Sequence, residues 1–218
     1  MRLTYFGHAS FLIETRGGTR VILDPYIPDC FDGALRYGSI SDPADVVIAS
    51  HGHDDHCGMD TIPGHPQQFM QPKTETVGDL TITGVDVLHD ESGGSERGDN
   101  TMVVLDDGDI RLAHLGDLGH LLDQGTMERL GRVDVLLIPV GGFFTIDHSA
   151  AAQVVDGLQP RIVVPMHYKT DKVDFPIAGV DPFLATQARV ERKDTSVLEV
   201  TADALPAERS VIVLSPSK

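Results

Sequence analysis

The chain has 218 residues, 41% of them hydrophobic, enough to bury one sizeable core, and it is read as a single domain over 1–218. Seventeen Lys and Arg stand against 33 Asp and Glu, a formal net charge of −16 that is spread along the chain. That balance argues against a general nucleic-acid binder, which needs a basic stripe for phosphates, and no apolar run reaches the roughly 18 residues that span a bilayer.

The N-terminal stretch Met1-Arg2-Leu3-Thr4-Tyr5-Phe6 reads as a strand rather than a signal peptide, because no long apolar region follows the arginine. Cys30 and Cys57 are too few for a disulfide framework, so a reducing, cytoplasmic setting is expected. Strands are predicted at 3–6, 11–15 and 19–23, the last running into Asp24-Pro25. The segment 26–43 holds Pro28, Gly33 and Gly38 without periodicity and reads as a loop over the surface or the site. A buried strand follows at 45–50, then strands at 80–88, 101–105 and 110–114, the last two joined by the turn Asp106-Asp107-Gly108-Asp109. From there helix and strand alternate. A helix at 121–130 ends at Gly131, a strand covers 133–140, Asp147 caps a helix to residue 158, and a strand covers 161–165. A helix near 182–189 and strands near 197–200 and 210–214 complete the chain. A β-rich start followed by βαβ units predicts an α/β fold of two mixed sheets between helical layers.

The run Ser50-His51-Gly52-His53-Asp54-Asp55-His56 leaves the 45–50 strand. Core packing does not ask for three imidazoles and a carboxylate within six positions, whereas a divalent transition metal does. His51 and His53 share one face of an extended segment. Asp55 and His56 fall where the chain is expected to bend into a helix, so the loop could feed two ions about 3.5–4 Å apart. One loop cannot close two such sites. Further candidates stand where later strands stop: His89 after Leu88, His114 and Asp117 in His114-Leu115-Gly116-Asp117, and His167 in Met166-His167-Tyr168. Gathering polar side chains at successive strand ends is how an α/β scaffold builds a site along one edge.

These motifs resemble those of the metallo-β-lactamase-fold hydrolase superfamily, and within it the chain is similar to small metal-dependent hydrolases related to ascorbate-phosphate lactonase. The signature His-x-His-x-Asp-His is present as His51, His53, Asp55 and His56; Asp24, Gly116-Asp117 and His167 match further motifs in the same order. The resemblance implies a four-layer αββα sandwich with metals at one edge. It implies that His51, His53 and a third histidine hold one ion, that Asp55, His56 and His167 hold a second, and that Asp117 bridges them. His89 is preferred as the third histidine, with His114 as the alternative ligand or a support behind one. Asp24 is expected to orient a ligand histidine, and His8 in Gly7-His8-Ala9-Ser10 either borders the site or forms a plain turn. The expected cofactor is a pair of divalent ions, zinc first, with manganese, iron or nickel able to occupy the same donors.

Glutamate is usual at the position of His53 in flavodiiron-type oxidoreductases of this fold, so the resemblance favours hydrolysis, with Asp55 orienting the attacking water. The expected substrate is a small lactone or ester. The alternatives are a phosphodiesterase, a mononuclear iron dioxygenase and a metal-stabilised binding protein without turnover. Tyr168 is a candidate substrate contact. Gly141-Gly142-Phe143-Phe144 would let backbone approach the pocket, with Phe143 in an aromatic wall. His65 and His120 read as surface residues, and Cys57 as a small packed residue behind the loop.

Overall fold

A computed structural model describes all of residues 1–218. Its strands, in chain order, are β1 (Arg2–Gly7), β2 (Ser10–Glu14), β3 (Arg20–Leu23), β4 (Val46–Ala49), β5 (Gln67–Met70), β6 (Thr74–Val77), β7 (Leu80–Leu88), β8 (Asp99–Asp106), β9 (Arg111–His114), β10 (Val135–Pro139), β11 (Ile162–Met166), β12 (Val190–Arg192), β13 (Val197–Glu199) and β14 (Ser210–Val213). They form two mixed sheets, in the orders β13-β1-β2-β3-β4-β5 and β12-β14-β11-β10-β9-β8-β7-β6. The α/β class and the pair of mixed sheets agree with the sequence reading.

Alternation along the strands explains the layering. Leu3, Tyr5, Phe11, Ile13, Val21, Leu23 and Ile48 turn inward and meet Ile82, Val103, Leu112, Val135, Leu137 and Val164 of the other sheet, forming the largest apolar cluster. The intervening Leu12, Ile22 and Val47 turn outward, where Tyr26, Leu35, Tyr37 and Val173 from long loops cover them. Strand β4 is therefore buried on both faces, which is why it reads as the unbroken run Val46-Val47-Ile48-Ala49. The outer face of the second sheet is covered by helices, chiefly His148–Leu158, whose Ala151, Val154 and Val155 pack on Leu136, Ile138 and Val163. Asp147 caps this helix, accepting from the N–H groups of Ser149 and Ala150.

Three strands escaped prediction, β5, β6 and β12. All lie at or beside sheet edges and carry largely exposed, polar side chains, so they lack an apolar pattern. The helix expected at 121–130 is only Gln124–Leu130, because Asp123 caps it there by accepting from Thr126 N–H. The helix expected near 182–189 is the single turn Asp181–Leu184, since the chain must reach β12. Asp55 and His56 do not enter a helix. The His53 carbonyl accepts from both His56 and Cys57 N–H, so the segment is a tight turn.

Candidate metal centre

Strands β1, β3 and β4 run in one direction in the first sheet, and β7, β9 and β11 share a direction in the second. Each delivers a candidate residue just beyond its carboxyl end: His8, Asp24, His51–His56, His89, Asp117 and His167 respectively. The long separations in sequence thus collapse to one edge of the sandwich.

Asp117 stands at the centre. Its Oδ2 lies 3.2 Å from His89 Nε2, 3.3 Å from His167 Nε2 and 3.9 Å from His51 Nε2, and its Oδ1 lies 3.2 Å from His56 Nε2. Donor atoms on either side fall into the groups His51–His53–His89 and His8–Asp55–His56–His167, and a third group, His51–His56–Asp117, links the two. The position of Asp117 depends on its neighbours. Asn100 Oδ1 accepts its N–H at 3.0 Å, and Gly116 turns at φ 54, where a methyl group would lie 2.3 Å from that same oxygen. Only glycine fits there.

Asp24 orients two of the histidines. Its Oδ2 accepts from His56 Nδ1 at 2.8 Å and from Ser50 Oγ at 2.7 Å, while Oδ1 accepts Ser50 N–H at 2.7 Å. Ser50 Oγ in turn lies 3.0 Å from His51 Nδ1. Because the serine proton goes to Asp24, His51 Nδ1–H donates to the serine oxygen. Both imidazoles therefore keep a proton on Nδ1 and turn Nε2 inward, the nitrogen that a metal would take.

His8 stands in the turn between β1 and β2, is fully buried and borders the site. Its Nε2 donates to Asp55 Oδ2 at 3.0 Å, since a carboxylate only accepts. His114 is buried nearby, but its Nε2 donates to the Ala9 carbonyl at 2.8 Å and its Nδ1 accepts Gly116 N–H at 3.1 Å. With both nitrogens used it has no lone pair for a metal. The structure brings His89 into the cluster and leaves His114 as a support for the Gly116 turn.

Electrostatics fit a cation in this place. Burial, and then the neighbouring His56, pushes His51 down to about 3; burial and His89 lower His53, so both are neutral donors at ordinary pH. Burial also lowers His8 to about 4, helped by His167. His56 goes the other way: burial opposes its charge, but Asp117 and Asp55 prevail and raise it well above the usual imidazole range, so the carboxylates favour positive charge at its Nε2, which a proton supplies and a metal ion would replace. Despite burial, the surrounding histidines hold Asp117 well below the usual carboxylate range. His51 Nε2, His56 Nε2 and Asp117 Oδ1 are buried and lack hydrogen-bond partners. Buried polar atoms without partners are rare and costly, and several converging lone pairs ask for an acceptor of electron pairs. The donor set fits divalent transition metals.

The cluster floors a cavity of about 430 Å³, with His53, Asp55, His89, Asp117 and His167 below and Phe31, Ala34, Phe144, Phe175 and Arg97 around it. This is within the range of small-molecule sites. The substrate contacts expected of Tyr168 and Phe143 do not match their positions. Tyr168 is buried in the apolar layer under the helices, because the chain after the left-handed His167 turns back into the core. Phe143 is exposed in an adjoining cleft, and it is the next residue, Phe144, that lines the cavity. Gly141 does permit close approach: a methyl group there would lie 2.4 Å from the His167 carbonyl oxygen. His65 is exposed, whereas His120 is half-buried and accepts Leu88 N–H through Nε2. Cys57 is half-buried and outside the donor groups.

Sequence reasoning missed Arg97, Phe31 and Phe175. Arg97 has a signal, since it lies in the glycine-rich loop that follows His89. Asp90 shapes that loop by accepting N–H groups from Arg97, Glu96, Gly94 and Ser92, and these bonds, the one from Arg97 foremost, hold its carboxyl down to about 2.

A family model described as a beta-lactamase superfamily domain matches residues 2–167. A UPF0173 metal-dependent hydrolase of Anaeromyxobacter sp. (strain K) is 31% identical, over 90% of this chain and 84% of that protein. A UPF0173 protein of Pyrococcus furiosus is 34% identical over 78% of this chain and 84% of its own length. A crystal structure from Thermotoga maritima, assigned to the Zn-dependent hydrolases of the metallo-beta-lactamase superfamily, superposes with a TM-score of 0.80 at 35% identity, covering 98% of this chain and 97% of that one.

Proposed function

The chain belongs to the metallo-β-lactamase superfamily and to its UPF0173 metal-dependent hydrolases, and on that premise we propose a binuclear enzyme that opens a small lactone or ester. The observation that carries the reading is Asp117 standing between two groups of donors, 3.2 Å from His89 of one group and 3.2 Å from His56 of the other. His51, His53 and His89 would hold one ion and Asp55, His56 and His167 the other, with Asp117 shared; zinc suits these nitrogen and carboxylate donors. Bound there, the ions supply the acidity that makes water a nucleophile near neutral pH and polarise the oxygen that gains charge.

The chain's own residues do the rest. Asp55 Oδ2 is held by His8, and its second oxygen makes no hydrogen bond within the protein, so it is free to orient the attacking water and take its proton. The rings of Phe31, Phe144 and Phe175 wall one side of the cavity and would limit the water reaching a bound substrate. The preference for a lactone or ester rests on the resemblance to ascorbate-phosphate lactonase and on the small, largely apolar cavity.

Elemental analysis of protein purified without added metal, beside parallel assays on a lactone and ester panel and on bis(4-nitrophenyl) phosphate, tests the reading. About two equivalents of transition metal and faster lactone or ester hydrolysis are expected. Fewer than about one equivalent removes the binuclear centre, and faster phosphodiester cleavage makes the enzyme a phosphodiesterase.

A further inference from the structure

One wall of the cavity is an unbroken arc. The Phe31 ring meets Phe175 edge-on at 5.7 Å, Phe175 meets Phe144 at 5.8 Å, and the Arg97 guanidinium lies over the Phe144 ring at 5.7 Å. Three aromatic faces thus lead to one cation, and the other ionisable lining residues, His53, Asp55, His89, Asp117 and His167, belong to the metal cluster.

Both ends of the arc bear marks of a binding surface. Phe31 is 49% exposed and has a left-handed backbone at φ 53, a conformation that bulky residues rarely adopt without a tertiary reason. Arg97 is partly buried, yet its side chain makes no hydrogen bond to the protein; its nearest charge is the exposed Glu96, 3.5 Å away. Its main chain is firmly placed, because Asp90 accepts its N–H at 2.8 Å and three more N–H groups of the same loop. A guanidinium fixed at its root, stacked on a ring and left with free donors is prepared for an oxyanion that offers two oxygens to its fork.

Building on the hydrolase reading above, we propose that the substrate carries an anionic group, a carboxylate or a phosphate, which Arg97 binds, with an apolar body lying along Phe31, Phe175 and Phe144. Arg97 is then the specificity-determining residue of the cavity. The apolar stretch keeps the anion away from Asp55 and Asp117, and the reacting bond falls between the arc and the floor.

The test uses the metal-loaded protein and calorimetric affinities for two matched pairs: 3-phenylpropionate against 3-phenylpropanamide, and 2-phenylethylphosphonate against its neutral dimethyl ester. The wild type is expected to prefer the charged member of at least one pair. Arg97→Gln should reduce that charged-to-neutral ratio by about 10–100-fold, and Arg97→Lys by less, because lysine keeps the charge without the fork. The pair that responds tells carboxylate from phosphate. A ratio unchanged in Arg97→Gln means that the anion contacts the metals and overturns the proposal, as does a wild type without charge preference. Metal content and ester turnover are read on the same samples. Loss of the hydrolase reading appears as absent metal or turnover, whereas loss of the Arg97 assignment appears as an unresponsive ratio.

Discussion

His8 and His167, 159 positions apart in sequence, hold each other at the site edge. The His8 carbonyl accepts His167 N–H at 2.9 Å, their rings lie 4.1 Å apart, and both backbones are left-handed, at φ 55 and φ 50. Non-glycine residues in that region cost about 1–2 kcal/mol each, so the two conformations persist because each is held by the other's hydrogen bond and by packing. The pairing joins the two sheets where they meet the metal cluster and aims His8 Nε2 at Asp55. His8→Ala is expected to lower kcat by about 10–100-fold, as loss of a group orienting a site residue does. Stopped assays on metal-quantified samples check this, and wild-type turnover in the variant shows that Asp55 is oriented without His8.

Asp55→Ala removes the group assigned to orient water and accept its proton. General-base loss costs typically about 10²–10⁴-fold, so the variant should retain its fold by circular dichroism and lose at least two orders of magnitude in turnover. Turnover near the wild-type value at full metal content assigns the proton transfer elsewhere.

Asp24→Ala strands three buried donors at once: His56 Nδ1–H, Ser50 O–H and Ser50 N–H. Breaking a buried charged network in this way costs about 3–5 kcal/mol, and both His51 and His56 lose their fixed tautomer. The expected result is a metal affinity lowered about 10–100-fold together with a lower unfolding free energy. Metal titration by competition with a chromogenic chelator, with urea unfolding alongside, measures both; unaltered affinity assigns the tautomers to something other than Asp24.

Removing metal should itself destabilise the fold. Ligands bound at about 1,000 times their Kd contribute about 4 kcal/mol, and for a chain of this length each kcal/mol moves Tm by about 2–4 °C. Chelation is therefore expected to lower Tm by about 8–16 °C, restored by zinc. A Tm indifferent to chelator shows that the converging lone pairs are tolerated without a cation.

What the amino-acid sequence reveals, and what it hides, follows from where information is stored along the chain. His51, His53, Asp55 and His56 are dense in one turn and announce themselves, and His89, Asp117 and His167 each follow an apolar run. The apolar runs that become β2, β3 and β4 are equally legible. Relations between distant segments are not. His8 looks like no more than a turn residue until β1 is known to run in the same direction as β3 and β4, towards the same edge, which brings it to Asp55. Arg97 looks like one of many surface charges until Asp90 folds its loop back over Phe144. Phe31 sits in a segment with no periodicity at all, and β5, β6 and β12 lie at or near sheet edges, where polar side chains erase the pattern that marks a strand.

Stability also depends on pH through a carboxylate outside the metal cluster. Asp79, in the turn between β6 and β7, accepts from Thr19 Oγ1 at 2.6 Å, Thr15 Oγ1 at 2.8 Å and Gly17 N–H at 2.9 Å, tying the second sheet to the β2–β3 hairpin of the first. These bonds, the one from Thr19 foremost and against a small burial effect, lower its pKa in the folded protein. A carboxyl whose folded pKa is depressed contributes stability that is complete above its unfolded value, near 3.9, and is lost as pH falls through the folded value. Asp79→Ala should therefore cost about 1 kcal/mol at pH 7, a low figure for charged hydrogen bonds because the carboxylate faces solvent. The gap between wild type and variant should narrow as pH drops below about 4. Urea unfolding of both proteins across pH 3 to 7 measures it. A gap that stays constant over that range assigns the effect to packing of the turn rather than to the ionised carboxylate.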